Sequence, residues 1–385
     1  MQVSELLLKS KRPLFHIGNG ARHSGFMKYL ESLRIPFVTA RNANDVCESD
    51  HPLFIGRPGT FGQRGANFAV QTCDLYVAVG TRLSLTQTGY NTKDYARNAH
   101  IVQVDIDQAE LDKGTLRDPI RICMDSKAFI ESLPLVEPQW DEWLDRCQAW
   151  KHRYPVCLKE YKNQRYVNSY YFIDTLSELA DEKDTIVTDM GMAFQSTHQA
   201  WKVKKGQRLI TNCGLAPMGW GLPAAVGAAF ATGGRVLLIT GEGGLMMNIQ
   251  ELATVMHHKL NIKIFVFNNG GYATIKQTQE LGFGGRLMGV NGDSGLSFPS
   301  LCGVASAHGL VSQIVNRNED VKNAIEHYFL HDIPVFCEII MSPDQPQAPR
   351  SLNRRNPDGT MNPTKLEDSH PFLDPQELSD NMRIP

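Results

Sequence analysis

Short apolar runs alternate with amphipathic stretches along most of the chain, and most of the runs end at glycine or a polar residue. In the second half, residues 236–239 and 262–267 are apolar runs of strand length. Residues 247–260, which lie between them, have apolar side chains at helical spacing. A right-handed crossover makes two such strands parallel, so their carboxyl ends meet at one edge of a sheet. The pattern predicts a ligand site at that edge.

The first half repeats the alternation. The predicted strands cover 13–17, 35–39, 74–82, 101–107 and 120–125, and each ends at or just before glycine, aspartate or another polar residue. Predicted helices cover 24–33 and 67–72. This order is typical of the parallel sheets that bind dinucleotides. We therefore expect an α/β protein with two doubly wound parallel-sheet domains.

Changes in composition indicate where the domains meet. We expect a first domain over 1–135, a linker over 136–166 containing an exposed charged helix, and a second domain over 167–343. Residues 344–385 are polar and rich in proline. They predict an extended C-terminal tail that is wrapped on a neighbour or partly disordered.

Composition narrows the partners and the compartment. The chain of 385 residues has a formal charge of −2, so nothing in its bulk electrostatics favours nucleic acid or an acidic membrane surface. Its longest apolar stretches are too short to cross a bilayer. The 8 cysteines have irregular spacing, and the first residues lack a signal-peptide pattern. Reduced thiols and a cytoplasmic protein are expected, with neither nucleic acid nor membrane as partner.

Candidate chemistry lies where the two strands of the second half end. Gly241, Gly243 and Gly244 let main-chain amides approach a ligand at the opening of a helix, which suits a diphosphate. Glu242 and Asn269 offer hard oxygens, which suit magnesium or calcium and not zinc. The turn over 268–271 can add a main-chain carbonyl.

These residues resemble a known signature. Gly241-Glu-Gly243 followed by Asn268-Asn269 is similar to the thiamine-diphosphate motif, which usually begins Gly-Asp-Gly. The blocks 214–228 and 247–254 resemble acetolactate (acetohydroxyacid) synthase large subunits. The resemblance implies thiamine diphosphate and Mg²⁺, with Glu242, Asn269 and the Gly271 carbonyl as metal ligands. It also implies that Met218 supports the bent cofactor and that Ile275 faces its thiazolium ring.

The resemblance extends to further cofactor contacts. In the thiamine domain it implies Gly191, Ala216, Met218, Gly241, Gly243, Gly244, Asn269 and Gly271. In the central domain, which commonly holds FAD in this group, the matching positions are Gly18, Gly20, Gly59, Gly80, Arg82, Asp105 and Asp125. Glycines there would pass close to a diphosphate, and an acid can bond ribose hydroxyls. The alternative is a nucleotide fold that binds nothing or plain ADP.

The chain departs from the group at several positions. Glu242 replaces the usual aspartate, and Met192 and Ala193 replace a Gln-His pair near the cofactor. Thr278 stands where the group usually has a tryptophan that favours a 2-ketobutyrate acceptor, which weakens the argument for branched-chain amino-acid synthesis. The glycine-rich stretch 281–299 predicts a mobile flap over the site.

The resemblance implies decarboxylation and carboligation of a 2-oxo acid such as pyruvate, as in a transferase or lyase. Relatives begin with a pyrimidine-binding domain whose glutamate drives the first proton transfer, and the chain contains no match to it. We therefore expect an enzyme only if that domain comes from a separate chain, with active sites between chains of an oligomer. The alternatives are a truncated, inactive cofactor-binding remnant and, with less support, a nucleotide-dependent oxidoreductase.

Overall fold

A computed structural model of the chain describes residues 2–352, 354–355, 358–362 and 365–384. The chain divides into two compact units, one made of Met1–Val156 with Ala348–Pro385 and the other of Cys157–Gln347. This division differs from the expected boundaries, because it places residues 136–156 and the C-terminal segment with the first unit.

The first unit is built on a parallel sheet of short, almost wholly buried strands. The strands are β1 (Pro13–Ile17), β2 (Phe37–Thr39), β3 (Phe54–Gly56), β4 (Leu75–Val79), β5 (His100–Asp105) and β6 (Ile120–Cys123). The helices are α1 (Gln2–Lys9), α2 (Phe26–Leu33), α3 (Arg64–Thr72), α4 (Leu85–Thr88), α5 (Gln108–Asp112), α6 (Ser126–Ser132) and α7 (Asp141–Arg153). The order β3-β2-β1-β4-β5-β6 is that of dinucleotide-binding domains.

Helix α7 differs from the exposed linker helix that its charges predicted. Trp143, Leu144, Cys147 and Trp150 on one face are buried. The indole N–H of Trp143 donates to the Pro13 carbonyl at 2.9 Å. Because the apolar bodies and polar tips of the tryptophans are both satisfied inside the first unit, this helix belongs to its core.

The second unit contains a second parallel sheet. Its strands are β7 (Thr185–Thr188), β8 (Arg208–Ile210), β9 (Val236–Gly241), β10 (Ile262–Asn268), β11 (Val311–Val315) and β12 (Val335–Ile340). Its helices are α8 (Ser169–Leu179), α9 (Met192–Ala200), α10 (Gly221–Thr232), α11 (Glu242–Met246), α12 (Leu252–His257), α13 (Ala273–Gly282), α14 (Leu301–Ala307) and α15 (Asn318–Phe329). Both six-stranded sheets are all-parallel, which confirms the predicted fold class.

The strand order of the second sheet, β11-β12-β10-β9-β7-β8, reverses direction between β7 and β9. The segment that leaves β7 runs to β8, and the chain then returns past β7 to form β9. Open α/β sheets bind ligands in the crevice at such a reversal, outside the carboxyl ends of the strands. The buried interiors of β9 and β10, with no charged residue except Lys263, fit their central positions.

One predicted helix is broken into pieces. Residues 247–260 were expected to form one helix, but α11 begins earlier, at Glu242, and a 3₁₀ turn over Ile249–Glu251 separates it from α12. The break begins at Asn248, whose φ of −137° is not helical and whose side-chain amide donates to the Gly219 carbonyl at 2.7 Å. That long-range bond replaces local helical continuity.

The described part of the C-terminal segment packs on the first unit, in contrast to the predicted extended tail. It contains β13 (Arg354–Arg355), β14 (Met361–Asn362) and α16 (Pro375–Met382). Arg64 donates to the carbonyls of Ser369 at 3.1 Å and Pro371 at 2.7 Å, and the Trp150 indole donates to Asn381 at 2.9 Å. The tail prediction for residues 353, 356–357, 363–364 and 385 lies outside the described residues.

The cysteines and the longest apolar helices can be compared with the expectations from the sequence. All eight cysteines are described, and each is a free thiol. Within the described ranges, none of the helices is both long enough and apolar enough to cross a membrane.

Candidate cofactor site

Glu242 lies at the carboxyl end of β9, directly beside the reversal of strand order. It begins α11, and its side chain is buried, with 1% of its surface exposed. One carboxylate oxygen, Oε1, accepts the main-chain N–H of Asn269 at 3.0 Å and that of Gly271 at 2.9 Å. The carboxylate of one strand exit therefore touches the turn that follows the neighbouring strand β10.

Burial sets the protonation of this carboxyl group. It raises the pKa of Glu242 to about 7, against the opposing effect of the main-chain N–H donors. Among the described residues no lysine, arginine or histidine forms an ion pair with it. A buried carboxylate without a cationic partner is costly unless a proton or a metal ion neutralises it. The donor set of Glu242, Asn269 and a carbonyl therefore fits a hard divalent cation.

Hydrogen bonds of Asn268 hold the end of β10 to the neighbouring strand β12 and to the turn that follows. The Asn268 side chain donates to Glu338 Oε1 at 2.6 Å and accepts the Gly270 N–H at 3.0 Å. Its carbonyl accepts the Met341 N–H at 2.8 Å. The Asn268 side chain is therefore engaged within the sheet. Asn269 is half-buried, and its role as a ligand stays a prediction.

Glu338 was missed by sequence reasoning. It is an acid inside the otherwise apolar strand β12, and only 6% of it is exposed. A lone acid in a buried strand run is the signal that could have identified it, since such a group needs a specific partner. Its partner, Asn268, precedes the predicted metal ligand Asn269 by one residue.

The glycine-rich stretch after α13 returns to the same turn. The Tyr272 N–H donates to the Val290 carbonyl at 2.9 Å, and Gly271 forms a β-bridge with Asn291. The stretch is therefore anchored at the predicted metal turn at one point. Its motion as a flap remains a prediction.

The loop before α10 places Met218 beside the Gly241–Gly244 turn. Met218 is 37% exposed, and its methyl carbon lies 2.9 Å from the position that a Cβ on Gly243 would occupy. Ala216, two residues earlier, is exposed and has a φ of +52°. The structure thus brings the Met218 side chain to the proposed diphosphate turn.

Ile275 and Gly191 lie on segments that meet through Thr274. Ile275 is in the first turn of α13, four residues after Gly271, and is 45% exposed. A Cβ on Gly191 would lie 3.8 Å from the Thr274 hydroxyl. The segments that follow β7 and β10 therefore approach each other, and the predicted roles of both residues stay predictions.

The residues predicted to hold a nucleotide in the first unit have partners of their own. A Cβ on Gly18 would overlap the Gly80 carbonyl, and the Gly20 N–H donates to that same carbonyl at 3.1 Å. These glycines allow two loops to touch each other, whatever else they bind. The Gly59 N–H donates to the Asn67 side chain at 2.9 Å.

The charged members of that set are also engaged. Arg82, whose side chain is 77% exposed, pairs with Glu110 at 2.7 Å. Asp125 caps α6 by accepting the Lys127 N–H at 2.9 Å, and Asp105 accepts the Asp107 N–H at 3.1 Å. Local structure thus accounts for these residue types without a dinucleotide, and flavin binding remains a prediction from the resemblance.

Comparison with known proteins agrees with this arrangement. The sequence profile of the thiamine pyrophosphate enzyme central domain matches residues 1–133. The profile of the thiamine pyrophosphate enzyme C-terminal TPP binding domain matches residues 189–339, which include the reversal point and both strand exits.

Curated relatives point to one group of these enzymes. The chain is 31% identical over 355 residues to the acetolactate synthase large subunit of Cyanidium caldarium, an alignment covering 89% of this chain and 59% of the relative. It is 30% identical over 358 residues to the acetolactate synthase isozyme 2 large subunit of Escherichia coli, covering 88% and 61%. For acetolactate synthase 2, chloroplastic, of Zea mays, the identity is 29% over 355 residues, covering 88% and 55%.

The chain therefore spans a little over half the length of the curated relatives that it matches. Two profiles of one family, in order along two parallel-sheet units, confirm the family that the glycine and asparagine motifs predicted. The chain belongs to the thiamine pyrophosphate enzymes, with the central and C-terminal TPP-binding domains of that family, and is similar to acetolactate synthase large subunits.

Proposed function

We propose that the second unit holds the diphosphate of thiamine diphosphate through Mg²⁺, in a decarboxylating and carboligating enzyme that acts on a 2-oxo acid such as pyruvate. The observation that carries this proposal is the Glu242 carboxylate, buried without a cationic partner and facing the Asn269–Gly271 turn. A magnesium ion would neutralise it at the point where a diphosphate fits the Gly241–Gly244 turn.

Each residue of the turn has a distinct part. Glu242, through the oxygen not engaged by the turn, and the Asn269 side chain would hold the ion, with the Gly271 carbonyl as third ligand. Main-chain amides at the start of α11 would bind phosphate oxygens. When bound, thiamine diphosphate supplies the carbon nucleophile that cleaves the bond beside a 2-oxo acid's carbonyl.

Met218 and Ile275 would shape the apolar part of the site. Both side chains are partly exposed apolar groups near the polar turn. They would orient the cofactor rings and keep water from the reacting carbon, since productive geometry accounts for much of the rate in such sites. Met192 and Ala193 are buried at the start of α9, so they offer substrate no polar contact in place of the family's Gln-His pair.

We propose that a further domain or chain covers exposed apolar side chains beside the candidate site. Leu215, Met247, Phe283 and Met288 of the second unit are all more than half exposed apolar side chains, with Leu215 at 90%. Leu215 lies three residues before Met218 and Met247 directly follows α11, so both belong to the loops of the candidate site, where a partner would cover them. We propose that an oligomer, or a separate pyrimidine-domain subunit, completes the site.

The test is release of carbon dioxide. The purified chain is mixed with thiamine diphosphate, magnesium and pyruvate, alone and with a pyrimidine-domain protein encoded beside it. We expect release only in the mixture with the second protein. Cofactor binding without release in any mixture would support the inactive remnant instead, and absence of cofactor binding would contradict both.

The raised pKa of Glu242 predicts how magnesium binding depends on pH. The ion requires the ionised carboxylate, so binding near or below pH 7 must displace a proton. Affinity for magnesium thiamine diphosphate should therefore rise with pH up to about pH 7, which is the pKa of Glu242 in the metal-free chain, and level off above it. Calorimetry in buffers of different ionisation enthalpy measures the released proton, and a pH-independent affinity between pH 6 and pH 8 would contradict the assignment.

FAD is proposed for the first unit only as a structural group. The strand order of that unit is the dinucleotide-binding one. Its glycines and acidic side chains have internal partners, and the reaction proposed above uses none of them. The site chemistry proposed above does not depend on flavin.

A further inference from the structure

Asp189, which directly follows β7, is a buried carboxylate that three segments of the candidate site share. It is 1% exposed. Oδ1 accepts the Met190 N–H at 2.9 Å, and Oδ2 accepts the Gly219 N–H at 3.2 Å and the Thr240 hydroxyl at 3.1 Å. These donors belong to the exit of β7, the Met218 loop and the end of β9.

The chain is built closely around this side chain. A Cβ on Gly244 would overlap the Asp189 carboxylate, and a Cβ on Gly221 would lie 2.8 Å from the Asp189 Cβ. The requirement for glycine at 244 and 221 thus comes from Asp189 itself, in addition to any ligand.

We propose that Asp189 is a positioning residue, which fixes the Met218 loop against the Gly241–Gly244 turn. The side chain that orients the cofactor rings then keeps a constant position relative to the turn that binds the diphosphate. It makes no ligand contact in this proposal, because its oxygens are used by Met190, Gly219 and Thr240. Its place at the reversal between β7 and β9 explains why one side chain can reach all three segments. The proposal rests on the proposed function for the meaning of that geometry.

Asparagine at position 189 tests the proposal without a change of size. Asn has one acceptor oxygen where Asp has two, so its amide N–H₂ must face a donor that the carboxylate accepts. Asp184→Asn is a matched control, because Asp184 is also buried, at 3% exposed, and lies directly before β7, whereas Asp189 lies directly after it. There it pairs with Arg235 at 2.7 and 2.8 Å.

Hydrogen–deuterium exchange on the cofactor-free chain measures the positioning directly. In Asp189→Asn we expect amides of residues 214–222 to exchange about tenfold faster, because the Gly219 N–H then faces either an amide N–H₂ or a neutral amide oxygen, which is a weaker acceptor than a carboxylate. In Asp184→Asn the same peptide should exchange as in the wild type. Unchanged exchange in Asp189→Asn would overturn the proposal.

Cofactor affinity measures the consequence. Mutation of a residue that orients the direct ligands of a metal site typically lowers affinity about 10- to 100-fold. Magnesium thiamine diphosphate should therefore bind Asp189→Asn at least about tenfold more weakly than the wild type. Thr240→Val removes a single bond to the carboxylate and should give a smaller loss in both measurements. It also provides the comparison if Asp189→Asn does not fold.

The two measurements separate the two claims. Faster exchange with unchanged affinity would overturn the coupling between loop and cofactor. If the wild type itself binds no thiamine diphosphate, the proposed function fails. The exchange comparison then still decides whether Asp189 fixes the loop.

Discussion

Replacement of Glu242 by glutamine should weaken binding of thiamine diphosphate in the presence of magnesium by about 100-fold, or about 2.7 kcal/mol. Glutamine keeps an oxygen for the Asn269 and Gly271 N–H groups, so the turn is retained while the charge is lost. Isothermal titration with and without magnesium measures the change. Without magnesium the two proteins should bind the cofactor equally weakly.

The same variant should be more stable than the wild type when no ligand is present. Burial raises the pKa of Glu242 from 4.5 to about 7, so at pH 8 the folded chain holds an ionised group that burial disfavours. The neutral glutamine should increase the free energy of unfolding by up to about 3 kcal/mol at pH 8. The gain should shrink as the pH falls from 7 and vanish below 4.5, where both states of the wild type are protonated.

Two controls distinguish a metal ligand from a general charge effect. Glu242→Asp, which restores the usual residue of the motif, should retain magnesium-dependent binding. Glu251→Gln alters a half-buried acid nearby whose carboxylate accepts the Thr254 hydroxyl at 2.7 Å, and it should change neither affinity nor stability appreciably. Equal loss in Glu242→Gln and Glu251→Gln would speak against a specific ligand.

Gly18→Ala should destabilise the first unit by about 3 kcal/mol, because the new Cβ would overlap the Gly80 carbonyl and the two loops must separate. Three of the five tryptophans, Trp140, Trp143 and Trp150, are buried in this unit, so fluorescence during denaturation follows its unfolding. The loss is expected in protein free of any nucleotide.

The control for that experiment is Gly114→Ala. Gly114 has a φ of +69° and nothing within 4 Å of a Cβ position, so only the backbone conformation is disfavoured, at about 1 kcal/mol. If Gly18→Ala were no more destabilising than Gly114→Ala, loop packing would not be the reason for glycine at position 18. A dinucleotide would then be the better explanation.

The parallel sheets, and the contact between Glu242 and the turn after β10, could be predicted because their signals are local. Apolar runs that end at glycine or a polar residue predicted the strands, and the Gly-Glu-Gly and Asn-Asn motifs predicted which edge of the second sheet holds the site. Strand parallelism then brings Glu242 to the turn after β10, and the structure confirms that contact.

The remaining features depend on contacts between residues distant in sequence. Asn248 donates to the Gly219 carbonyl, and this bond breaks a helix that its own periodicity predicted. Trp143 donates to Pro13, 130 residues away, so a charged segment became part of a core. The roles of Asp189 and Glu338 could not be predicted from the sequence for the same reason, because their hydrogen-bond partners lie on other strands or loops.

In the proposed site, Glu242 and Asn269 share one divalent ion on a diphosphate. A crystal grown with Mn²⁺ and thiamine diphosphate, measured at the manganese absorption edge, locates that ion by anomalous scattering. We expect a single strong peak bonded to a Glu242 carboxylate oxygen, the Asn269 side-chain oxygen and the Gly271 carbonyl. A diphosphate-bound ion that contacts neither Glu242 nor Asn269 would contradict the account.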